Sequence, residues 1–231
     1  TPTINQINNL KVSNTAAGAV TMSFGFTAAG TTIVNSSCIL GTAAATFTAN
    51  GAVTMNGTFK INQGGWANGS GVWNYGTTGT LYYNNTSGIY STINTDVYWP
   101  SANSPVNVTI PTGTTGVNVN SITRTISGTF TLGSTFQNYC NITFAGPIIL
   151  TSGYNWASGI CGTFSYTCAS TLTYNANGIY SRGPEWTAAV TPGNVVITNN
   201  TEIRNNGTTN ATICGSLTID AGSKLYMDYS G

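Results

Sequence analysis

The stretch that decides the fold is WPSANSPVNVTI, residues 99–110, because it recurs 87 residues later as WTAAVTPGNVVI, residues 186–197. The two copies share the pattern Trp-x5-Pro-x-Asn-Val-x-Ile. The sequences on both sides match as well: GIYS occurs at 88–91 and 178–181, and GTFTL at 128–132 corresponds to GSLTI at 215–219. Self-similarity at a fixed spacing is the sequence signature of a repeat architecture.

The repeat predicts three parts of the chain. Residues 61–150 and 151–231 form two β repeat units, and residues 1–60 form an N-terminal partial β repeat, in which GAVTM at 18–22 recurs at 51–55. The N-terminal stretch 3–12 has the composition of a strand, so we expect that it can add to a neighbouring copy.

Each unit reads as short strands separated by tight turns. Residues 106–110, 194–198 and 224–229 alternate with a period of two, and five Asn-Gly pairs mark turns between such runs. No ten-residue window has helical spacing of apolar residues. The fold class is therefore all-β, either a β-solenoid with coils of roughly 20 residues and three short strands each or a series of tandem β-sandwich modules.

The low charge excludes several functions. Only 5% of the residues are charged, the net charge is +1 and there is no His. Six scattered Lys and Arg cannot form the basic surface that nucleic acids or anionic membranes require, and chemistry that depends on His is absent. No apolar run is long enough to span a membrane. The N-terminus lacks the features of a signal peptide, so we interpret the chain as a mature or excised segment.

The second repeat resembles a known group of proteins. TLTYN at 171–175, GIYSRGPEW at 178–186, PGNVVI at 192–197 and GSLTIDAGS at 215–223 resemble repeats of large secreted Bacteroidetes cell-surface proteins, which are exported by type IX secretion and include adhesin-like members. The resemblance implies an extracellular location and a β-rich array, and it implies no catalytic residue. The Asn-rich composition is also similar to that of archaeal surface-thread subunits.

Paired carboxylates are the one route to hydrolysis that the composition leaves open. Glu185 corresponds to Tyr98 in the earlier repeat, so its carboxylate is not part of the repeat pattern, and we expect a solvated acid beside a turn. Calcium sites need clustered acids, and this chain has five scattered ones. We predict no catalytic residue, cofactor or metal site. The acids are Asp96, Glu185, Glu202, Asp220 and Asp228.

The aromatic residues fall into two groups. Trp66 and Trp156, like Trp99 and Trp186, recur at equivalent positions, as packing between coils requires. Trp73 has no aromatic counterpart in the second copy, so it is the better candidate for an exposed contact and is the possible glycan contact.

The five cysteines have no zinc-site spacing. Cys161 and Cys168 are a possible disulfide, and buried free thiols are the alternative. Ten Asn-x-Ser/Thr sequons are possible glycosylation sites: Asn35, Asn56, Asn68, Asn84, Asn85, Asn107, Asn141, Asn199, Asn206 and Asn210.

Together these features predict a non-enzymatic, extracellular structural or adhesive protein of the cell surface, either a stalk or a filament-forming segment. We expect self-association, end to end or by strand addition, with surface glycans as possible further partners and without nucleic-acid binding or membrane insertion. The alternative function is a glycan-binding module that uses exposed aromatic residues.

Overall fold

The structure is a computed structural model, and it describes residues 5–14, 19–93, 95–152, 164–205 and 210–227. Within these ranges the regular structure consists of 25 short strands, and no residue is helical. The described residues accordingly contain no helix with the length and apolar character needed to cross a membrane.

The strands form five sheets, A to E, in which each strand pairs with the equivalent strand of the next coil. Sheet A contains β1 (Gln6–Ile7), β4 (Phe26–Ala28), β7 (Thr46–Ala49) and β10 (Trp66–Asn68), and sheet B contains β2 (Leu10–Val12), β5 (Thr32–Val34), β8 (Val53–Met55) and β11 (Trp73–Tyr75). Sheet C contains β3 (Val20–Met22), β6 (Ile39–Thr42), β9 (Thr58–Asn62), β12 (Thr80–Asn84), β14 (Asn107–Ile110), β16 (Phe130–Leu132), β18 (Ile148–Leu150), β20 (Thr171–Tyr174), β22 (Asn194–Ile197) and β24 (Leu217–Ile219). Sheet D contains β13 (Tyr90–Ile93), β15 (Val117–Ile126), β17 (Phe136–Phe144) and β19 (Phe164–Tyr166), and sheet E contains β21 (Ile179–Ser181), β23 (Glu202–Arg204) and β25 (Lys224–Tyr226).

The architecture is a β-solenoid, which confirms the predicted fold class. In the described part of the chain, all strand pairs are parallel and join successive coils, as between β20 and β22. The β-sandwich alternative required antiparallel sheets and is wrong. The first four coils have the predicted three strands each, from sheets A, B and C. Later coils have a strand of sheet D or E followed by one of sheet C.

The sequence repeat corresponds to a shift of four coils, because its equivalent strands β14 and β22 lie four positions apart in sheet C. The stack is continuous across the boundary predicted at residue 60, which falls inside β9. Residues 5–12 belong to the first coil: β1 and β2 pair with β4 and β5 of the same chain. The described part of the N-terminal stretch is therefore docked on its own chain, with one open edge.

The core is built on the inward face of sheet C. One column of side chains is in register through all ten strands and is apolar throughout. It consists of Val20, Leu40, Phe59, Leu81, Val108, Phe130, Ile148, Leu172, Val195 and Leu217. The eight inner members are fully buried. Each therefore packs between the residue before and the residue after it, and burial of this kind is the main stabilising term in folding.

A side-chain latch at the start of the sheet C strands explains two repeated residues. The Oδ1 atom of Asn107 accepts a hydrogen bond of 2.8 Å from the backbone N–H of Thr129 in the next coil. Asn194 does the same for Ser216 at 3.0 Å. A Cβ atom on Gly128 or Gly215 would lie 2.5 or 2.6 Å from the same Oδ1 atoms. The close approach of the Asn side chain leaves room only for glycine in the next coil, which explains why both repeats have Asn and Gly at these two positions.

We predict that Asn107→Ala lowers the free energy of unfolding by about 1 to 2 kcal/mol, because it leaves the Thr129 N–H without its acceptor. Thr109→Ala, which trims an outward side chain two residues further along β14, is the matched control and is expected to change it by less than about 0.5 kcal/mol. Denaturant titration of both variants measures the difference. Equal midpoints for the two variants would contradict a role for the latch.

Candidate functional site

Two linkers interrupt the coils, and they contain the two buried acidic side chains of the described residues, Asp96 and Glu185. The first linker (residues 95–106) lies between β13 and β14, and the second linker (residues 182–193) lies between β21 and β22. Each buries its repeated tryptophan. Trp99 is fully buried and its Nε1 donates to Ser104 Oγ at 3.0 Å, while Trp186 is 5% exposed and its Nε1 donates to the Thr212 carbonyl at 2.9 Å.

An arginine holds the backbone of each tryptophan. Arg124, from β15, donates from Nε to the Trp99 carbonyl at 2.9 Å. Arg182, at the start of the second linker, donates from Nη1 to the Trp186 carbonyl. The two arginines come from different positions relative to the repeat, so sequence comparison of the units gave no signal for this shared contact.

Asp96 anchors the first linker. Its Oδ2 accepts hydrogen bonds from the Ile93 backbone N–H at 2.8 Å and from the Tyr98 hydroxyl at 3.1 Å. The Thr92 hydroxyl forms hydrogen bonds to two tyrosine hydroxyls, that of Tyr98 at 3.3 Å and that of Tyr83 at 2.9 Å, and so connects them. Burial raises the pKa of the Asp96 carboxyl, and the hydrogen bonds and Arg124 only partly oppose this rise.

Glu185 anchors the second linker and is not the solvated acid that the sequence predicted. Its side chain is fully buried, and its Oε1 accepts from the Tyr174 hydroxyl at 2.9 Å and from the Gly183 N–H at 3.0 Å. Oε2 is buried without a hydrogen-bond partner. Burial raises the pKa of this carboxyl above its ordinary value of 4.5. The prediction failed because Tyr174, eleven residues earlier, supplies a buried donor that only the coil packing brings there.

The geometry of these acids suits structural anchoring. Both carboxylates bind tyrosine hydroxyls and backbone amides, and the fully buried Glu185 has no surface that a substrate can reach. Among the described residues, no group of three or more His, Cys, Asp or Glu side chains is arranged to hold a metal ion.

Trp73 is buried, so the predicted exposed glycan contact is wrong. Only 1% of its surface is exposed, and its ring packs edge-on against Phe59 and Phe47 at centroid distances of 4.9 and 6.2 Å. It lies on β11, where the period of two points alternate side chains inward. Among the described residues, no strand after β11 belongs to sheet B, so the described part of the second unit has no position equivalent to that of Trp73.

The other tryptophans follow the packing prediction where the structure describes them. Trp99 and Trp186 are buried, and the half-buried Trp66 stacks on Tyr90 at 5.9 Å. Trp156 lies outside the described residues.

The disulfide differs from the predicted pair. Cys168 is bonded to Cys214, with a Cα–Cα distance of 5.8 Å, and Cys161 lies outside the described residues. Cys168 precedes β20 and Cys214 precedes β24, so the bond spans two steps of sheet C. Sequence proximity favoured Cys161, whereas coil stacking brings together cysteines 46 residues apart. Cys38 is a buried free thiol that donates to the Asn14 carbonyl at 3.1 Å.

The sequons differ in accessibility. Asn84 and Asn107 use their Nδ2 atoms in hydrogen bonds to the preceding coil, to Asn62 at 2.7 Å and Thr80 at 3.4 Å. Asn85 is fully buried. Asn35 and Asn56 are partly exposed, and Asn206 lies outside the described residues. The exposed sequon asparagines are Asn68, Asn141, Asn199 and Asn210.

An uncharged groove of 510 Å³ runs along the corner after sheet B. Its lining consists of hydroxyl, amide and thiol side chains from Ser13, Asn35, Ser36, Cys38, Asn56, Thr77 and Thr78. Such a lining can hydrogen-bond to an uncharged polar molecule. It contains no aromatic ring of the kind that stacks on sugars.

Comparison with protein-family models, with curated proteins and with solved structures gives no match to this chain.

We predict that Glu185→Gln changes how stability depends on pH. Because the pKa of Glu185 is raised in the folded state, the folded protein keeps this proton to higher pH than the unfolded chain does. Its contribution to the free energy of unfolding therefore falls as pH rises above 4.5, by at most about 1.4 kcal/mol per pH unit. The Gln variant lacks this loss. Urea titrations between pH 4 and 8 should show that the free energy of unfolding of the variant rises relative to that of the wild type as the pH increases. If the free energies of unfolding of the two proteins change in parallel with pH, the burial of a carboxyl with a raised pKa is contradicted.

We also predict that peptide mapping of the oxidised protein recovers Cys168 linked to Cys214. Cys168→Ser should lower the free energy of unfolding by about 2 to 4 kcal/mol, because the unfolded chain loses a long closed loop. Cys161→Ser, which leaves this bond intact, is the control. Recovery of a Cys161–Cys168 peptide would overturn the pairing.

Proposed function

We propose that this chain is a non-enzymatic structural segment of an extracellular surface protein, serving as a stalk or filament segment that presents an adhesive surface. The observation that carries the proposal is the uninterrupted stack of sheet C. Ten strands at a spacing of about 4.8 Å give a rod about 43 Å long with a continuous apolar column in its core. Such a rod is suited to holding surfaces at a fixed distance.

The outward surface supports a structural role in an aqueous environment. Thr, Asn and Ser occupy many of the outward positions beside the buried column, as at Asn107, Thr129, Thr171, Asn194 and Ser216. Hydroxyl and amide groups solvate most of this surface, and Lys60, which lies over the ring of Tyr82, is a charged exception. The Cys168–Cys214 bond is consistent with an oxidising compartment outside the cytosol.

The resemblance to Bacteroidetes surface repeats supports the same location, and type IX export is part of the proposal. Glycan recognition through exposed aromatics is the weaker alternative, because Trp73, the residue named for it, packs in the core.

Protease treatment of intact producing cells tests the location. We expect this segment to be cut or released from intact cells while a cytoplasmic marker protein stays whole, because a surface stalk is accessible from outside. Cleavage only after lysis would contradict an extracellular role. Release of new reducing ends from a panel of surface polysaccharides by the purified chain would contradict a non-enzymatic one.

A further inference from the structure

The described part of the chain contains four Asn-Gly pairs, at 50–51, 56–57, 68–69 and 177–178. In any such pair the backbone nitrogen of glycine can attack the side-chain amide carbon of asparagine and form a cyclic imide. Glycine permits this because it has no Cβ atom to hinder the backbone rotation that brings the two atoms together. The surroundings of each pair therefore decide which of them can react in the folded protein.

The side chain of Asn68 is exposed, and its amide carbonyl is polarised. Asn68 is the last residue of β10, and its Oδ1 atom accepts a hydrogen bond of 2.7 Å from the Thr48 hydroxyl in the preceding coil. Attack on the amide carbon moves negative charge onto this oxygen, so the Thr48 donor stabilises the transition state more than the ground state. The Nδ2 atom, which must leave as ammonia, makes no hydrogen bond to the described residues.

The attacking nitrogen, that of Gly69, is also unpaired. Among the described residues β10 is the last strand of sheet A, so no further strand pairs with it on the far side. The Gly69 N–H lies just beyond the strand and makes no hydrogen bond to the described residues. No backbone hydrogen bond of this N–H has to break before it attacks.

The other three described pairs lack this combination. The Gly57 N–H donates to a carbonyl of the preceding coil at 3.1 Å, and Gly57 is buried. Gly51 is packed between coils, because a Cβ atom on it would lie 2.2 Å from the Gly30 oxygen and a Cβ atom on Gly71 would lie 2.0 Å from the Gly51 oxygen. Asn177 is exposed, but its hydrogen bond to the described residues uses the backbone N–H and leaves the side-chain carbonyl without a donor.

We infer that Asn68 and Gly69 form a site of spontaneous covalent modification. The Gly69 nitrogen bonds to the Asn68 amide carbon, the bond from that carbon to Nδ2 breaks, and Nδ2 leaves as ammonia with the proton of the Gly69 N–H. Water then opens the imide at either carbonyl, which leaves aspartate or isoaspartate in place of Asn68. The whole change consumes one water and releases one ammonia, and it requires no enzyme, metal or oxidant.

The modification changes the charge and the accessible chemistry of this corner of the solenoid. It adds one negative charge, which takes the formal net charge of the chain from +1 to zero, and a net charge near zero weakens the repulsion between copies. Asn68 also begins the exposed sequon Asn68-Gly69-Ser70. A glycan on Nδ2 and imide formation therefore exclude each other.

Peptide mapping by mass spectrometry tests the inference on the purified, unglycosylated chain during incubation at mildly alkaline pH. In the folded protein we expect Asn68 to convert at least about threefold faster than Asn50 and Asn177, the factor that one hydrogen bond contributes, while Asn56 stays intact. In urea-unfolded protein the four pairs should convert at similar rates, because only the local sequence then acts. Conversion of Asn68 no faster than that of Asn177 in the folded protein would overturn the inference.

A set of variants tests the role of the Thr48 hydroxyl. Thr48→Val keeps the β-branched shape without the donor and should slow conversion of Asn68 about three- to tenfold, whereas Thr48→Ser keeps the donor and should react like the wild type. Thr46→Val, at the outward position two residues earlier on β7, is the matched control and should leave the rate unchanged. An unchanged or faster rate in Thr48→Val would show that the hydroxyl does not activate the amide. Thermal unfolding shows whether the variants are folded, and Thr48→Ala removes the same donor if Thr48→Val is not.

Discussion

The register between successive coils is the constraint on which the rest of the structure depends. Because each strand pairs in parallel with its equivalent one coil away, every inward side chain lies directly against an inward side chain of the next coil. Phe130 therefore meets Ile148, which meets Leu172. A one-residue slip would turn the apolar set outward and the Thr and Asn set inward. The latches of Asn107 and Asn194 secure this register at the start of the strands, where the chain turns into the sheet.

The first linker lies where the coils change from three strands, in sheets A, B and C, to two strands, in sheets D and C. In the part of the chain that the structure describes, β11 is the last strand of sheet B, and the side of the solenoid that sheet B covered needs another apolar lining. The first linker supplies Tyr98 and Trp99, and its Asn103 carbonyl accepts from the Tyr75 N–H of the last sheet B strand at 3.1 Å. The buried acids and arginines fix the linkers in place. Their hydrogen bonds replace those that a regular strand would make with its neighbours.

Low charge acquires a specific meaning in this architecture. A ladder of identical parallel strands places equivalent outward side chains about 4.8 Å apart, so a charged residue repeated in every coil would repel its own copies. Thr and Asn avoid that repulsion, and Asn adds hydrogen bonds along the stack, as between Asn84 and Asn62.

The sequence by itself determined an all-β repeat fold, with the solenoid and the β-sandwich both open, and the packing role of Trp99 and Trp186, because a repeated pattern with a period of two has a local physical cause. It also provided the candidate acids but not their surroundings. The tertiary structure alone decided that Trp73 faces the core, that Cys168 meets Cys214 and that Glu185 is buried against Tyr174. Each of these depends on which residues of different coils become neighbours. That arrangement follows from the length of every turn and linker in the stack, and no local pattern records it.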